Sequence, residues 1–311
     1  MASLREFLDA RRVQTTMWNI TGLAGMDRGK YCIQDDEYDI FLNHVYNHLF
    51  GGLTPNPSSL MERHRQFGPI LIDLEFRYDI GTPVIRSYTD NHIRNFLATY
   101  IASMMYFSKL ENLQQDVYFY QLAKPGPEMG IHGGKDGVHL HCPSLTTSPI
   151  YQYAIRGFLL SNHVLDLAFA ETMHAPEDCF CASVLKNNWF LYGAGKPDKP
   201  NYTITNIWKI SLLELQRCDT TNYATILGTV LSALHKTPIP TDAYELMKIL
   251  SIRRGHTVET PLAIRENRTE EWAELIAEWG SGNRNGNRNR NRNLDSWLCQ
   301  YRSPATDFHF Q

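Results

Sequence analysis

No window of this 311-residue sequence reaches the roughly 18 apolar residues that a membrane-spanning helix needs. The opening stretch, Met1-Ala-Ser-Leu-Arg-Glu-Phe-Leu-Asp-Ala-Arg-Arg, is an amphipathic polar helix without the apolar centre of a signal peptide. A membrane protein and a secreted one are both set aside, and the expectation is an intracellular protein. An excess of basic charge is missing too: 30 Lys and Arg face 33 Asp and Glu, a formal net charge of -3. Any contact with nucleic acid must therefore come from local basic patches rather than from the summed charge. Disulfide spacing is lacking as well. Cys32, Cys142, Cys179, Cys181, Cys218 and Cys299 follow no even framework, which points to a reducing compartment. No internal repeat is found.

What is present suits an enzyme. A chain of this length that is 43% hydrophobic and 20% charged can bury roughly 75% of its unfolded surface, in one large core or in two that share a boundary. Tyr38, Phe41, Leu42, Val45, Tyr46 and Leu49 recur at three-to-four spacing, which predicts a core-facing helix over 35–49. After the breaker-rich Gly51-Gly-Leu-Thr-Pro-Asn-Pro, an apolar strand is predicted over 69–76, a helix over 90–110 and strands over 117–123 and 138–142. The glycine-rich stretch 130–137 reads as a connection between the last two. A helix over 150–170, a short strand over 189–192 and helical structure over 240–280, with Trp272, Leu275, Ile276 and Trp279 as its packing face, complete an α/β or α+β pattern. Residues 281–293 carry Arg, Asn and Gly without an acid or an apolar side chain, the composition of a disordered linker.

The chemistry begins at Asp73 and Glu75. Residues two apart on a strand share a face, so two carboxylates stand side by side on an oily strand while Leu74 and Phe76 face the other way. Like charges so close repel unless a cation lies between them, and such hard oxygen donors suit Mg²⁺ or Mn²⁺. Unaided, the same pair also fits a solvated strand end. His139 and His141 share a face by the same period, after Gly133, Gly134, Lys135 and Gly137. His139 is placed to meet a triphosphate, while His141 fits a satisfied strand histidine equally well. In Asn187-Asn-Trp-Phe-Leu-Tyr-Gly-Ala-Gly-Lys196-Pro a lysine follows a glycine turn, a good position for an ammonium on phosphate, although the spacing is not that of a P-loop.

Together these stretches resemble the archaeo-eukaryotic primase (primase-polymerase) superfamily, in particular the N-terminal primase domains of primase–helicase proteins of large DNA viruses. Leu71-Ile-Asp73-Leu-Glu75-Phe matches the first family motif. Lys135-Asp-Gly137-Val-His139 matches the second, with glycine where many members have serine, and the stretch ending at Lys196 matches a segment of the viral members. The resemblance covers roughly residues 15–210. It implies a two-lobed primase-like core with an RRM-like sheet over residues 1–215, followed by a helical region over 216–280, the linker 281–293 and, at 294–311, the start of a further region or a tail.

The activity so implied is template-directed transfer of a nucleotide from an NTP or dNTP to a 3′ hydroxyl. Two Mg²⁺ or Mn²⁺ ions would lie on Asp73 and Glu75, with His139, Lys135 and Lys196 at the triphosphate. Single-stranded DNA template, primer and a helicase are the implied partners, and host cytoplasm or nucleus the place of action if the protein is viral. The family's third acid falls where this chain has Glu177-Asp-Cys-Phe-Cys-Ala-Ser-Val184. The position itself is Cys181, and Asp178, the nearest carboxylate, is the expected third metal ligand through a bend at 179–181. A zinc site of Cys179, Cys181 and His174 is a lesser reading. A metal-dependent nuclease and a noncatalytic nucleic-acid-binding module are the alternatives in function.

Overall fold

The computed structural model describes residues 3–52, 56–81, 85–131, 133–169, 172, 174–255 and 262–282. Nearly all of the expected linker and the whole of 294–311 lie outside the described residues. In chain order the elements are α1 (Leu4–Asp9), β1 (Ile20–Gly22), β2 (Gly29–Tyr31), α2 (Tyr38–Phe50), β3 (Leu60–Glu62), β4 (Gly68–Tyr78) and α3 (Asp90–Phe107). They continue with β5 (Val117–Ala123), β6 (Glu128–Gly130), β7 (Gly133–Thr147), α4 (Pro149–Ser161), α5 (Asp166–Phe169), α6 (Pro176–Cys179) and β8 (Trp189–Phe190). The last are β9 (Thr203–Ile210), α7 (Leu212–Arg217), α8 (Tyr223–Ala233), β10 (His235–Thr237), α9 (Ala243–Ile249) and α10 (Thr269–Gly282). No described helix is long and apolar enough to cross a membrane.

Two antiparallel sheets organise the α+β fold, as the primase-like reading expects. The smaller has the order β2-β1-β3-β8 and shares a core with α1 and α2, built on Phe7, Leu8, Ile20, Tyr31, Phe41 and Leu42. The larger has the order β10-β9-β5-β7-β4, with β6 paired to β7. Alternation splits its side chains. Ile70, Ile72, Leu74 and Phe76 of β4, Phe119 of β5 and Val138, Leu140 and Cys142 of β7 pack with α3 and α4 in the main core. Each such burial contributes about 1.5–3 kcal/mol. Phe96 of α3 meets Phe180 edge-on with ring centroids 5.2 Å apart, so this helix also anchors the segment leading to Cys181.

The two units are stitched by a buried acid. Glu62 at the end of β3 is inaccessible to solvent and accepts hydrogen bonds from Tyr38 Oη (2.6 Å), Ser251 Oγ (2.5 Å) and the Ile252 amide (2.8 Å). Burial nonetheless pushes its carboxyl above the usual range, against those three donors.

Several local expectations change. Residues 133–137 are strand rather than connection: β7 begins at Gly133 and pairs with β4 from Gly134↔Tyr78 onward, and β6 pairs antiparallel with its start. The reason is tertiary, because a fully formed neighbour strand overrides the weak strand preference of glycine. Gly133 has φ 104°, and a Cβ there would lie 2.2 Å from the Tyr78 carbonyl, so glycine is required at that turn. The helix expected over 150–170 ends at Ser161, and His163 takes φ 55° before α5. Residues 216–280 contribute α8, α9 and α10, and also β10, which extends the large sheet along β9.

Candidate functional site

The face of the large sheet expected to be exposed is partly covered, by Leu246 of α9 and the adjoining Leu250 over Tyr120, Leu122 and Ile207 and by Trp189 and Ile252 over Leu71, and it carries the polar side chains of β4 and β7. Asp73 is directly opposite His139, Glu75 opposite Gly137 and Arg77 opposite Lys135, so the period-two argument places Asp73, Glu75 and His139 together. Asp73 Oδ1 lies 3.6 Å from His139 Nε2, and both side chains are mostly buried, at 16% and 18% exposure. Burial, with the nearby Glu75 charge adding to it, pushes the Asp73 carboxyl up to about 7, while Lys135 and Lys196 pull the other way. Burial also holds His139 down at about 3, helped by the positive fields of Lys124, Lys135 and Lys196. At neutral pH His139 is thus a neutral imidazole, and its contact with Asp73 is not an ion pair.

Glu75 is set differently although it is only two residues away. Burial raises its carboxyl, but hydrogen bonds from Lys135 Nζ (2.5 Å) and Arg77 (3.0 Å) outweigh that and hold it below the usual range. The two acids are therefore split, one half-protonated near neutrality and the other ionised.

Beside the two acids stands Cys181. Phe180 bridges Leu74 on the outer edge of β4, and the Cys181 amide donates to the Asp73 carbonyl at 2.9 Å. One donor atom each from Asp73, Glu75 and Cys181 lies within 4.8 Å of the other two, and among the described residues this is the one group of three metal-ligating side chains so close. Asp178 is not brought to it. The chain stays helical through α6 until Cys179 and becomes extended only at Phe180, so Asp178 remains exposed on that short helix. The expected bend exists, but it comes after Asp178 and delivers Cys181 instead. The zinc grouping fails for the same reason: Cys179 points into the main core, where burial raises its thiol to about 12, and His174 packs against Phe76 and Tyr78.

His141 is fully buried between Leu71 and Tyr120 of the flanking strands and meets Trp189 edge-on. Lys196 is exposed and lies near enough for its charge to act on both Asp73 and His139. Its turn is held by the Gly195 amide on the Ser58 carbonyl (2.9 Å) and by Asn201 Nδ2 on the Gly193 carbonyl (2.7 Å). Two aromatic residues were not singled out from the sequence. Tyr202 stacks on His139 with ring centroids 3.7 Å apart and planes 13° from parallel, and Trp189 packs against the same ring at 4.5 Å, tilted by 38°. Trp189 stood inside a stretch already noted; Tyr202 follows a proline-rich turn, and nothing local marks it.

As to a metal, the site fits one. Asp73 Oδ1 is buried without a hydrogen-bond partner, and an ionised carboxylate beside a second acid is the kind of donor that a divalent cation satisfies.

Residues 23–208, well over half of the chain, match the family described as the C962R protein N-terminal AEP domain, where AEP stands for archaeo-eukaryotic primase. The chain is also 29% identical over 173 residues to "Putative helicase L207/L206" of Acanthamoeba polyphaga mimivirus, across 54% of this chain and 17% of that protein. The chain therefore spans only a small part of its relative's length.

Proposed function

This chain belongs to the archaeo-eukaryotic primase family of the C962R type, and on that premise we propose that it is a primase-polymerase module supporting DNA replication. In this reading the 3′ hydroxyl of a primer, or of a first nucleotide, attacks the α-phosphate of an NTP or dNTP and pyrophosphate leaves. The observation that carries it is the convergence of Asp73, Glu75, His139 and Lys135 on one face of two paired strands, with the charge of Lys196 reaching the same point.

Asp73 and Glu75 would hold two Mg²⁺ or Mn²⁺ ions, which activate the attacking hydroxyl and stabilise the leaving oxygen when bound. The neutral His139 offers a ring N–H to a phosphate oxygen, and Tyr202 and Trp189 hold that ring in place. Lys135 is paired with Glu75 in the resting site. A phosphate that draws its ammonium away frees Glu75 Oε1 as a ligand while Arg77 stays on Oε2, so the same lysine serves both states. Lys196, exposed on a braced turn, meets the outer phosphates. Prealigned donors of this kind stabilise charge that builds on phosphoryl oxygens without reorganising. Base choice belongs to the template strand, and single-stranded DNA is the proposed partner. A helicase, in the same or an associated chain, is the other, supported by the name of the mimivirus relative.

The test is primer extension on a single-stranded template with labelled NTPs or dNTPs, with Mg²⁺ and with Mn²⁺. Elongation that depends on template supports the reading. Shortening of the strand would instead favour a metal-dependent nuclease. Template binding without incorporation under any divalent cation would favour a noncatalytic module, the outcome that the thiol in place of a third acid would suggest.

A further inference from the structure

We infer that Cys181 is a metal ligand, and that its thiolate makes this site prefer borderline and soft divalent cations to Mg²⁺. The inference rests on the metal-binding reading of Asp73 and Glu75. The cysteine is not a lone one. Its sulfur lies in a three-donor group with both acids, all within 4.8 Å. Its backbone is locked to β4 by the hydrogen bond of its amide to the Asp73 carbonyl, so the placement follows from strand pairing and not from a free side chain. Independently, Asp73 Oδ1 is buried with no hydrogen-bond partner, 3.6 Å from His139 Nε2, a carboxylate oxygen that the protein's own donors leave unsatisfied.

A neighbouring hydroxyl can support a metal-bound sulfur. Ser183 Oγ lies 2.9 Å from Cys181 Sγ and can donate to it once the thiol proton has left to solvent on metal binding. Cys181 is half-buried, so a cation can reach its sulfur from solvent. Donor chemistry then sets the choice of ion. Mg²⁺ demands near-ideal octahedral oxygen coordination, whereas thiolates select softer ions. Two oxygens and one sulfur thus bind Cd²⁺ and Zn²⁺ best, Mn²⁺ less well and Mg²⁺ least.

The experiment uses the full chain without nucleotide, titrated with Cd²⁺ while the ultraviolet sulfur-to-cadmium charge-transfer band is followed. A saturable band is expected in the wild type and in Cys32→Ser and Cys218→Ser, whose thiols lie elsewhere. Cys181→Ser should lose the band and weaken Cd²⁺ binding by at least about 10-fold, the lower end of what loss of even a supporting residue costs a metal site. A Cys181→Ser protein that keeps both band and affinity overturns the assignment. Cys181→Asp supplies a second readout by calorimetry: its Mg²⁺ affinity should rise by about 10-fold or more, taking the same scale, and a folded variant with unchanged Mg²⁺ affinity also overturns it. The primase reading fails separately. Absence of incorporation with the Cys181-dependent band intact would sink that reading alone, and incorporation by a wild type without the band would sink only the thiolate ligand.

Discussion

Asp73 and His139 are direct partners across β4 and β7, with Oδ1 and Nε2 3.6 Å apart, and burial pushes their titrations in opposite directions. The Asp73 carboxyl, raised to about 7, keeps a proton in the folded chain that the unfolded chain has released, so its contribution to stability falls as pH rises from about 4 to about 7. His139, held at about 3, stays neutral where the unfolded chain is protonated, so its contribution falls as pH drops from about 6.5 to about 3. The two slopes oppose each other in the metal-free protein. Each window spans about three pKa units, on the order of 4 kcal/mol. Urea denaturation in EDTA across pH 4 to 7 should therefore show Asp73→Asn gaining stability as pH rises and His139→Gln losing it. Equal slopes in the two variants would refute the assignment.

Catalysis should depend on the two acids and not on Asp178. Asp73→Asn and Glu75→Gln each remove a ligand worth several kcal/mol of charge stabilisation, so incorporation should drop by about 10³-fold. Binding of single-stranded DNA should change little. Asp178 is exposed on α6 and outside the donor group, and Asp178→Ala should extend primers at the wild-type rate. Primer-extension rates paired with DNA-binding isotherms check all three, and a collapse of activity in Asp178→Ala would contradict the placement of the third position.

The His139 ring should be sensitive to Tyr202 and to the glycine that faces Glu75 across the two strands. A Cβ at Gly137 would lie 2.7 Å from Tyr202 Oη and 3.2 Å from the Leu74 carbonyl, so the glycine makes room for the stacked tyrosine. Gly137→Ala should displace Tyr202 and loosen the imidazole. Tyr202→Phe keeps the stack, while Tyr202→Leu loses an aromatic contact of about 0.5–1.5 kcal/mol, equivalent to roughly a 2- to 10-fold rise in KM for nucleotide. Steady-state kinetics separating KM from kcat give the answer, and a normal KM in both Gly137→Ala and Tyr202→Leu would remove the positioning role.

Glu62 should matter for stability alone. Its loss leaves the Tyr38 hydroxyl, the Ser251 hydroxyl and the Ile252 amide without their buried acceptor, at about 1–3 kcal/mol for each unsatisfied group that water cannot reach. Glu62→Ala is expected to lower unfolding free energy by at least about 3 kcal/mol on that scale, read from urea midpoints. A shift below 1 kcal/mol, roughly that of an ordinary surface change, would mean that the two units do not depend on this link.

Local pattern alone carried much of this protein. The strand 117–123 and the helices beginning near 38 and 90 follow from apolar periodicity, and the shared face of Asp73 and Glu75 follows from the two-residue repeat of any strand. Likewise His139 and Lys135 announced themselves by residue type and spacing, which survive whatever the strand pairs with. What pairs with what is a different matter, because register and bridging depend on contacts between segments far apart in the chain. The glycine-rich stretch became strand only because β4 was there to receive it. Cys181 rather than Asp178 reached the acids because a single bridge from Phe180 to Leu74 set where the helical turn gave way to extended chain. Tyr202 lies over His139 because β9 brings its start back across β5, at a sequence separation that no local pattern encodes. Periodicity is a property of the backbone and can be read in one dimension, whereas the partner of each face is settled by packing in three.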